Sequence, residues 1–194
     1  MIEHKIVFAG PTGAGKTTAI AAVSEVEPVC TEVHSHDADV TKAFTTVALD
    51  YGELTLDDGN RLRLYGTPGQ RRFGFMWPIL ASGALGLVIL VDSSQPQALE
   101  KLQAYVDGFA DLIRRTGCVV GVGRLPAPDD PALDRCAARL AERGVVCPVV
   151  PVDVRRQEDV RMLLDLLLLQ LELRPGEAAA GESSGLSSAI SGRG

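Results

Sequence analysis

The sequence predicts an α/β fold, namely a doubly wound, mostly parallel, six-stranded sheet with one antiparallel hairpin strand. Three observations predict it. Short apolar runs alternate with segments of helical periodicity along the chain. The run 85–91 (LGLVILV) is continuously apolar, as in a central parallel strand that is covered on both faces. The turn sequence Asp57-Asp58-Gly59-Asn60 joins two alternating segments, which indicates one antiparallel pair.

The remaining elements follow the same patterns. Gly10 and Gly144 mark the ends of a strand and a helix, and the polar segment 28–41 has no periodicity and is predicted as a loop. Residues 175–194 are dominated by Gly, Ser and Ala, which predicts a disordered tail after a domain of residues 1–174. The predicted strands are 6–9, 45–56, 61–65, 85–91, 118–122 and 149–152, and the main predicted helices are 16–26, 98–115, 131–143 and 158–173.

The charge balance bears on possible partners. The net charge is −6 and there is no run of Lys or Arg, which argues against nucleic acid or an anionic membrane surface as the main partner.

The apolar runs are too short for a transmembrane segment and the N-terminus does not resemble a leader, so we expect a cytoplasmic protein. The four cysteines lack C-x-x-C spacing and are interpreted as reduced thiols.

A phosphate-binding motif follows the first predicted strand. Residues 10–17 (GPTGAGKT) fit G-x-x-x-x-G-K-[ST] and are followed by a predicted helix, which is the context that this motif requires. Its backbone N–H groups and the helix N-terminus favour phosphate, Lys16 is placed to reach the outer phosphates, and the Thr17 hydroxyl is placed to bind magnesium. The expected nucleotide-binding residues here are Gly10, Pro11, Thr12, Gly13, Ala14, Gly15, Lys16, Thr17 and Thr18.

Four stretches, GPTGAGKTT, TTVALDYG, LYGTPGQRRFGFMW and LVILVDSS, carry a family resemblance over residues 5–95. The chain resembles the small Ras-like GTPases, most of all a bacterial branch with the gliding-motility polarity GTPases and the conservon-type ATP/GTP-binding proteins. The resemblance implies a P-loop NTPase of the small G-protein fold, a GTPase of weak intrinsic activity that binds GTP/GDP and Mg2+. It also implies two partners, a small activating protein of the roadblock/LC7 type and a switch-dependent effector.

The resemblance also implies roles for three further residues. Thr46 matches the threonine that closes on magnesium and the terminal phosphate, so Thr17 and Thr46 are the expected metal ligands. Gly69 matches the glycine whose N–H contacts that phosphate. Gln70 matches the glutamine that orients the attacking water, which makes Gln70, Lys16 and Thr46 the expected catalytic residues.

One departure concerns a carboxylate near the metal. Gly66 stands where the family usually has an aspartate that supports magnesium, so reduced metal affinity is expected. Asp92, at the end of LVILVD, either compensates or caps the following helix, and the cap is the favoured interpretation.

Two further departures concern the base. The family's N-K-x-D motif is replaced by GRLP at residues 123–126, so guanine or adenine preference stays open. Arg124 would stack on either base. Asp153 replaces part of the last base-binding loop and either contacts the base or caps the last helix, with the cap slightly favoured.

Alternatives remain at the segment after Gln70. Arg71 and Arg72 either supply positive charge to the reaction or are solvated loop residues. The apolar residues Phe73, Phe75, Met76 and Trp77 either fill the core or form a partner surface. For the whole chain, the alternatives to a GTPase switch are a nucleotide-binding module with little hydrolysis and relaxed base selectivity, and an ATPase.

Overall fold

The structure is a computed structural model that describes residues 2–27, 29–34 and 46–173, with residues 29–34, 46–48 and 71 described by their backbone alone. The predicted tail of residues 175–194 lies outside the described residues. Within the described part, no helix combines the length and the apolar character that crossing a bilayer requires.

One sheet organises the described chain, in the strand order β2-β3-β4-β1-β5-β6-β7. The pairs β2–β3 and β3–β4 are antiparallel, and the other four pairs are parallel. This confirms the predicted fold class. The strands are β1 (Glu3–Ala9), β2 (Val29–His34), β3 (Thr46–Thr55), β4 (Arg61–Gly66), β5 (Ala84–Asp92), β6 (Cys118–Gly123) and β7 (Val149–Pro151).

The described sheet has seven strands instead of the six predicted, because β2 lies in the segment that the sequence predicts as a loop. β2 runs along the outer edge of β3, with Val29 opposite Tyr51 and His34 opposite Thr46. Its backbone hydrogen bonds come from this pairing, which involves residues more than ten positions away. The mixed composition of the segment carries no local period from which the strand could be predicted.

The helices lie on both faces of the sheet. The predicted helix 98–115 is divided at Phe109, whose backbone (φ −110°, ψ 17°) leaves the helical region. Gly108 precedes that break, and a Cβ at Gly108 would overlap the Trp77 ring. The helices are α1 (Lys16–Val23), α2 (Trp77–Ala81), α3 (Ala98–Gly108), α4 (Ala110–Arg115), α5 (Ala132–Ala141) and α6 (Gln157–Glu172), with a 3-10 helix (Arg71–Met76) before α2.

Two hydrophobic cores flank the sheet, as alternation along β1 requires. Ile6 and Phe8 pack against residues of α1 and α6, whereas Val7 and Ala9 pack against residues of α3, α4 and α5. Both faces of the parallel strands are therefore buried. The carboxyl ends of β1, β5, β6 and β7 meet at one edge of the sheet, where open α/β sheets bind their ligands.

Candidate nucleotide-binding site

The phosphate loop (residues 10–17) connects β1 to α1. Its backbone conformation and its close packing require glycine at two positions. Gly10 (φ 144°) and Gly15 (φ 92°) have backbone conformations that side chains rarely adopt. A Cβ at Gly10 would overlap the Leu90 carbonyl oxygen, and one at Gly15 would come within 2.7 Å of Val154 Cγ2. The loop is thus held close to β5 and to the segment before α6, at the N-terminus of α1.

Lys16 is the first residue of α1, and its side chain extends back across the phosphate loop. Its ammonium group donates to the Gly10 carbonyl at 2.8 Å and to the Pro11 carbonyl at 2.9 Å. The side chain is only 7% exposed. Burial lowers the pKa of Lys16 to about 8, although the nearby Asp50 carboxylate opposes this shift. A buried ammonium group held by two carbonyls is well placed to meet an anion.

Asp50 is a site residue that the sequence analysis missed. Its Oδ2 accepts a hydrogen bond from the Thr17 hydroxyl at 2.9 Å. Asp50 lies on β3, one step beyond the pair Tyr51–Tyr65, and therefore beside Gly66. A Cβ at Gly66 would lie 2.7 Å from that same Oδ2. The carboxylate of Asp50 thus occupies the space that a side chain from Gly66 would need.

The switch loop (residues 66–70) leaves β4 and lies against the phosphate loop. A Cβ at Gly69 would overlap the backbone nitrogen of Thr12. The Tyr105 hydroxyl donates to the Gly69 carbonyl at 3.1 Å, and Thr67 N donates to the Phe8 carbonyl at 2.8 Å. Gly69 is therefore fixed next to the phosphate loop.

Gln70 and Thr46, two of the predicted catalytic residues, are not among the described side chains that line the site. Gln70 follows Gly69 and is exposed, and it does not line the cleft described below. Thr46 is the first residue of β3, opposite His34, and its side chain lies outside the described part of the chain. Lys16, Thr17, Thr12 and Gly69 are brought together, whereas Gln70 would have to turn inward to act.

Asp92 does not cap a helix, contrary to the favoured interpretation. It is buried at the end of β5, and its Oδ1 accepts from Ser94 N at 3.1 Å and from the Ser94 hydroxyl at 2.6 Å. Its Oδ2 accepts from Arg124 at 2.5 Å. The next helix, α3, begins only at Ala98. A buried carboxylate needs a charged partner, and Arg124 provides it across the sheet edge.

Arg124 occupies the loop after β6, where the family carries its base motif. Its backbone has a positive φ of 56°. Besides the ion pair with Asp92, its guanidinium approaches the Gly13 carbonyl at 3.5 Å. The side chain is largely exposed and lines the cleft. Asp92 therefore fixes a cationic, planar group beside the phosphate loop.

The capping interpretation of Asp153 is also wrong. Its carboxylate accepts from Arg155 N at 3.1 Å and from the Arg155 guanidinium at 2.8 and 2.6 Å. These bonds hold the pKa of Asp153 at about 2. The residue before α6 is Arg156, which makes no side-chain capping bond. An arginine two residues away satisfies the carboxylate locally, so it is engaged before any base arrives.

A cleft of about 1040 Å³ joins these groups. It runs from the phosphate loop, past Asp50 and Gly69, to Arg124 and Asp153. Its volume lies near the upper end of those typical for small-molecule sites. Its walls come from the loops after β1, β4, β6 and β7 and from the end of β5, so the phosphate and base regions predicted from separate motifs share one concave surface.

The apolar segment after Gln70 contains both buried and exposed side chains. Phe73 and Trp77 are buried, whereas Phe75 is 65% exposed and Ile79, in α2, is 69% exposed. Met76 is half-buried. The Arg72 guanidinium lies 4.8 Å from the centre of the Phe73 ring and is exposed. The side chain of Arg71 lies outside the described part of the chain.

Comparison with known proteins gives a partial family match. A model described as "Conserved hypothetical ATP binding protein" matches residues 31–113. An uncharacterized protein of Methanocaldococcus jannaschii is 34% identical over 97 residues, which cover 48% of this chain and 53% of that protein. The Ras-related protein Rab-8A of Gallus gallus is 28% identical over 105 residues, covering 53% of this chain and 45% of that protein.

A longer match is to the intraflagellar transport protein 22 homolog of Bos taurus, which is 22% identical over 142 residues, 69% of this chain and 74% of that protein. The chain spans about half the length of the first relatives that it matches. These similarities and the observed topology suggest a nucleotide-binding protein. They support placing the chain in the small GTPase-like superfamily of P-loop proteins.

Proposed function

We propose that this protein binds GTP and GDP with magnesium, hydrolyses GTP slowly and acts as a nucleotide-dependent switch. The observation that carries the proposal is the phosphate loop, in which buried Lys16 bridges the Gly10 and Pro11 carbonyls beside the N-terminus of α1. Backbone N–H groups at a helix N-terminus and a cation next to them make a site for phosphate anions. We also propose the bacterial branch of the resemblance as its nearest family.

The residues beside Thr17 suit a magnesium ion. A hydroxyl and a carboxylate are the oxygen ligands that this ion prefers, and the Thr17–Asp50 pair presents both. The space beside Gly66 is filled by the carboxylate of Asp50, which therefore replaces the aspartate that the family has at that position. Thr17 and Thr46 would bind the ion, supported by Asp50. Bound magnesium would neutralise charge on the phosphates.

Hydrolysis would depend on positioning more than on covalent chemistry. Lys16 would stabilise negative charge on the outer phosphates, and Gly69 would contact the terminal phosphate from beside Thr12. Gln70 would turn in from its exposed position to orient the attacking water. Because this last step requires movement of the switch loop, a low intrinsic rate is expected, with stimulation by a partner.

The exposed apolar residues that follow Gln70 suit such a partner. Phe75 and Ile79 present apolar surface directly after the loop that would sense the nucleotide. A small activating protein of the roadblock/LC7 type and a switch-dependent effector are the partners that the family resemblance implies.

A second candidate is a nucleotide-binding module with relaxed base selectivity, or an ATPase. Two observations favour it. Asp153 is already engaged by Arg155, so reading the guanine edge would require it to give up that ion pair. Arg124 offers a planar surface that stacks on guanine and adenine alike. The matching family model is also described as ATP-binding.

Competitive binding separates the candidates. Labelled GTP would be displaced by unlabelled GTP, GDP, ATP or ADP, with and without magnesium. The GTPase switch requires displacement by GTP and GDP at concentrations well below those of ATP and ADP. Equal displacement would support the base-permissive module, and single-turnover hydrolysis of both triphosphates would then identify an ATPase. Absence of displacement by every nucleotide would contradict both.

A further inference from the structure

The contact between Tyr105 and Gly69 links the switch loop to α3. The Tyr105 side chain is buried, and its hydroxyl donates to the Gly69 carbonyl at 3.1 Å across 36 positions of sequence. Gly69 also lies close to the backbone of Pro11 and Thr12. Gly69 is therefore in contact with both the phosphate loop and α3, and Tyr105 supplies the hydrogen bond from α3.

Aromatic packing fixes the position of this hydroxyl. The Tyr105 ring lies 4.8 Å from the Trp77 ring, and Trp77 stacks on Phe109 at 5.3 Å. Gly108 lets Trp77 approach α3 closely, since a Cβ there would overlap the indole. Tyr105 thus has little freedom to move by itself. Any displacement of Gly69 would either break the hydrogen bond or disturb the stack.

The neighbourhood also contains two polar atoms that lack a partner. Thr67 Oγ1 and Trp77 Nε1 are buried without a hydrogen bond among the described residues. Thr67 lines the cleft, and Trp77 is the first residue of α2, which follows the 3-10 helix Arg71–Met76. Buried polar groups without partners are rare, so these two atoms mark a strained place in the packing around Gly69.

We propose that Tyr105 is a positioning residue that holds Gly69 against Thr12 and so favours the triphosphate over the diphosphate. The inference rests on the proposed function, because it needs a terminal phosphate beside the phosphate loop. Loss of the hydroxyl frees the Gly69 carbonyl and lets the switch loop leave Thr12. A diphosphate lacks the terminal phosphate that would contact Gly69, so the affinity for the diphosphate should not depend on the Tyr105 hydroxyl.

Removal of the Tyr105 hydroxyl tests this. Affinities for GDP and for a non-hydrolysable GTP analogue are measured with magnesium in the wild-type protein and in the Tyr105→Phe variant. We expect the variant to lose about fivefold in its triphosphate-to-diphosphate affinity ratio, the effect of one typical net hydrogen bond. Trp77 is the single tryptophan of the sequence, and the difference in its fluorescence between the two nucleotide states should shrink in the variant.

The matched control is Tyr51→Phe, whose hydroxyl donates to Glu53 on its own strand. It should leave both the ratio and the fluorescence difference at wild-type values. An unchanged ratio in Tyr105→Phe, or an equal loss for both nucleotides, would overturn the inference and leave the proposed function standing. A wild-type protein that binds neither nucleotide would overturn the proposed function, and the inference with it.

Discussion

The Thr17 hydroxyl and the Asp50 carboxylate are joined by a 2.9 Å hydrogen bond between α1 and β3. Thr17 belongs to the phosphate motif, whereas Asp50 lies in the stretch TTVALDYG, where the sequence analysis assigned it no role. Their contact places a carboxylate where the Gly66 position offers none. The departure at Gly66 therefore does not remove negative charge from the proposed magnesium site, and the expected loss of metal affinity need not follow.

Asp50→Asn should weaken the magnesium dependence of triphosphate binding. Removing a carboxylate that supports a bound metal typically costs about 10-fold to 100-fold in metal affinity. The measurement is a magnesium titration of GTP binding. Glu53→Gln, on the same strand and paired with Arg61 at 3.0 Å, is the control. The same magnesium midpoint in Asp50→Asn as in the control would remove the role assigned to Asp50.

Gly66→Asp should destabilise the protein although it restores the residue that the family carries. The added side chain would meet Asp50 Oδ2 at 2.7 Å and place two like charges together, with an expected cost of about 1–3 kcal/mol in the free energy of unfolding. Exchange of the two residues, Asp50→Gly with Gly66→Asp, should recover much of this loss. Chemical unfolding of both single variants and the exchange variant measures the coupling; additive effects would show that the two positions do not compete.

Nucleotide affinity should fall as the pH rises above about 8. Burial lowers the pKa of Lys16 from 10.5 to about 8, so the nucleotide-free protein loses this charge above that pH, while a bound phosphate favours the charged form. Between about pH 8 and 10.5 the unfolded chain binds more protons at Lys16 than the folded protein does, so the free energy of unfolding of the nucleotide-free protein should rise with pH in that range.

GDP binding measured up to about pH 9 tests the predicted fall in affinity. The Lys16→Ala variant should bind weakly at every pH, and an equally steep fall in that variant would assign the titration to another group.

Gln70→Leu should slow hydrolysis without weakening GTP binding. The side chain would act on water, and its exposed position shows that it does not support the fold. Loss of a group that orients or stabilises the reacting atoms should cost at least about tenfold in rate. Single-turnover hydrolysis in Gln70→Leu and in the exposed control Gln95→Leu provides the comparison. Wild-type turnover in Gln70→Leu would mean that water is oriented by another residue.

Patterns within short stretches of sequence determined the fold class, the phosphate loop and the position of the switch loop. In each case the information is local. A strand, six loop residues and a helix specify where Lys16 and Thr17 stand, and the turn Asp57-Asp58-Gly59-Asn60 specifies the antiparallel hairpin. The hairpin register could also have indicated Asp50, since it lies one step beyond Tyr51, opposite Gly66.

Tertiary structure alone decided the partner of Asp92 and the contact of Tyr105. Asp92 and Asp153 resemble helix caps in sequence, but one is paired with Arg124 from the loop after β6 and the other is held by Arg155. Asp153 is held by a residue only two positions away, but the partner of Asp92 depends on which loops meet at the sheet edge, and no local pattern carries that information. The same holds for Tyr105, whose contact with Gly69 arises only because two helices and a loop pack together, since burial and hydrogen bonding depend on neighbours that are distant in sequence.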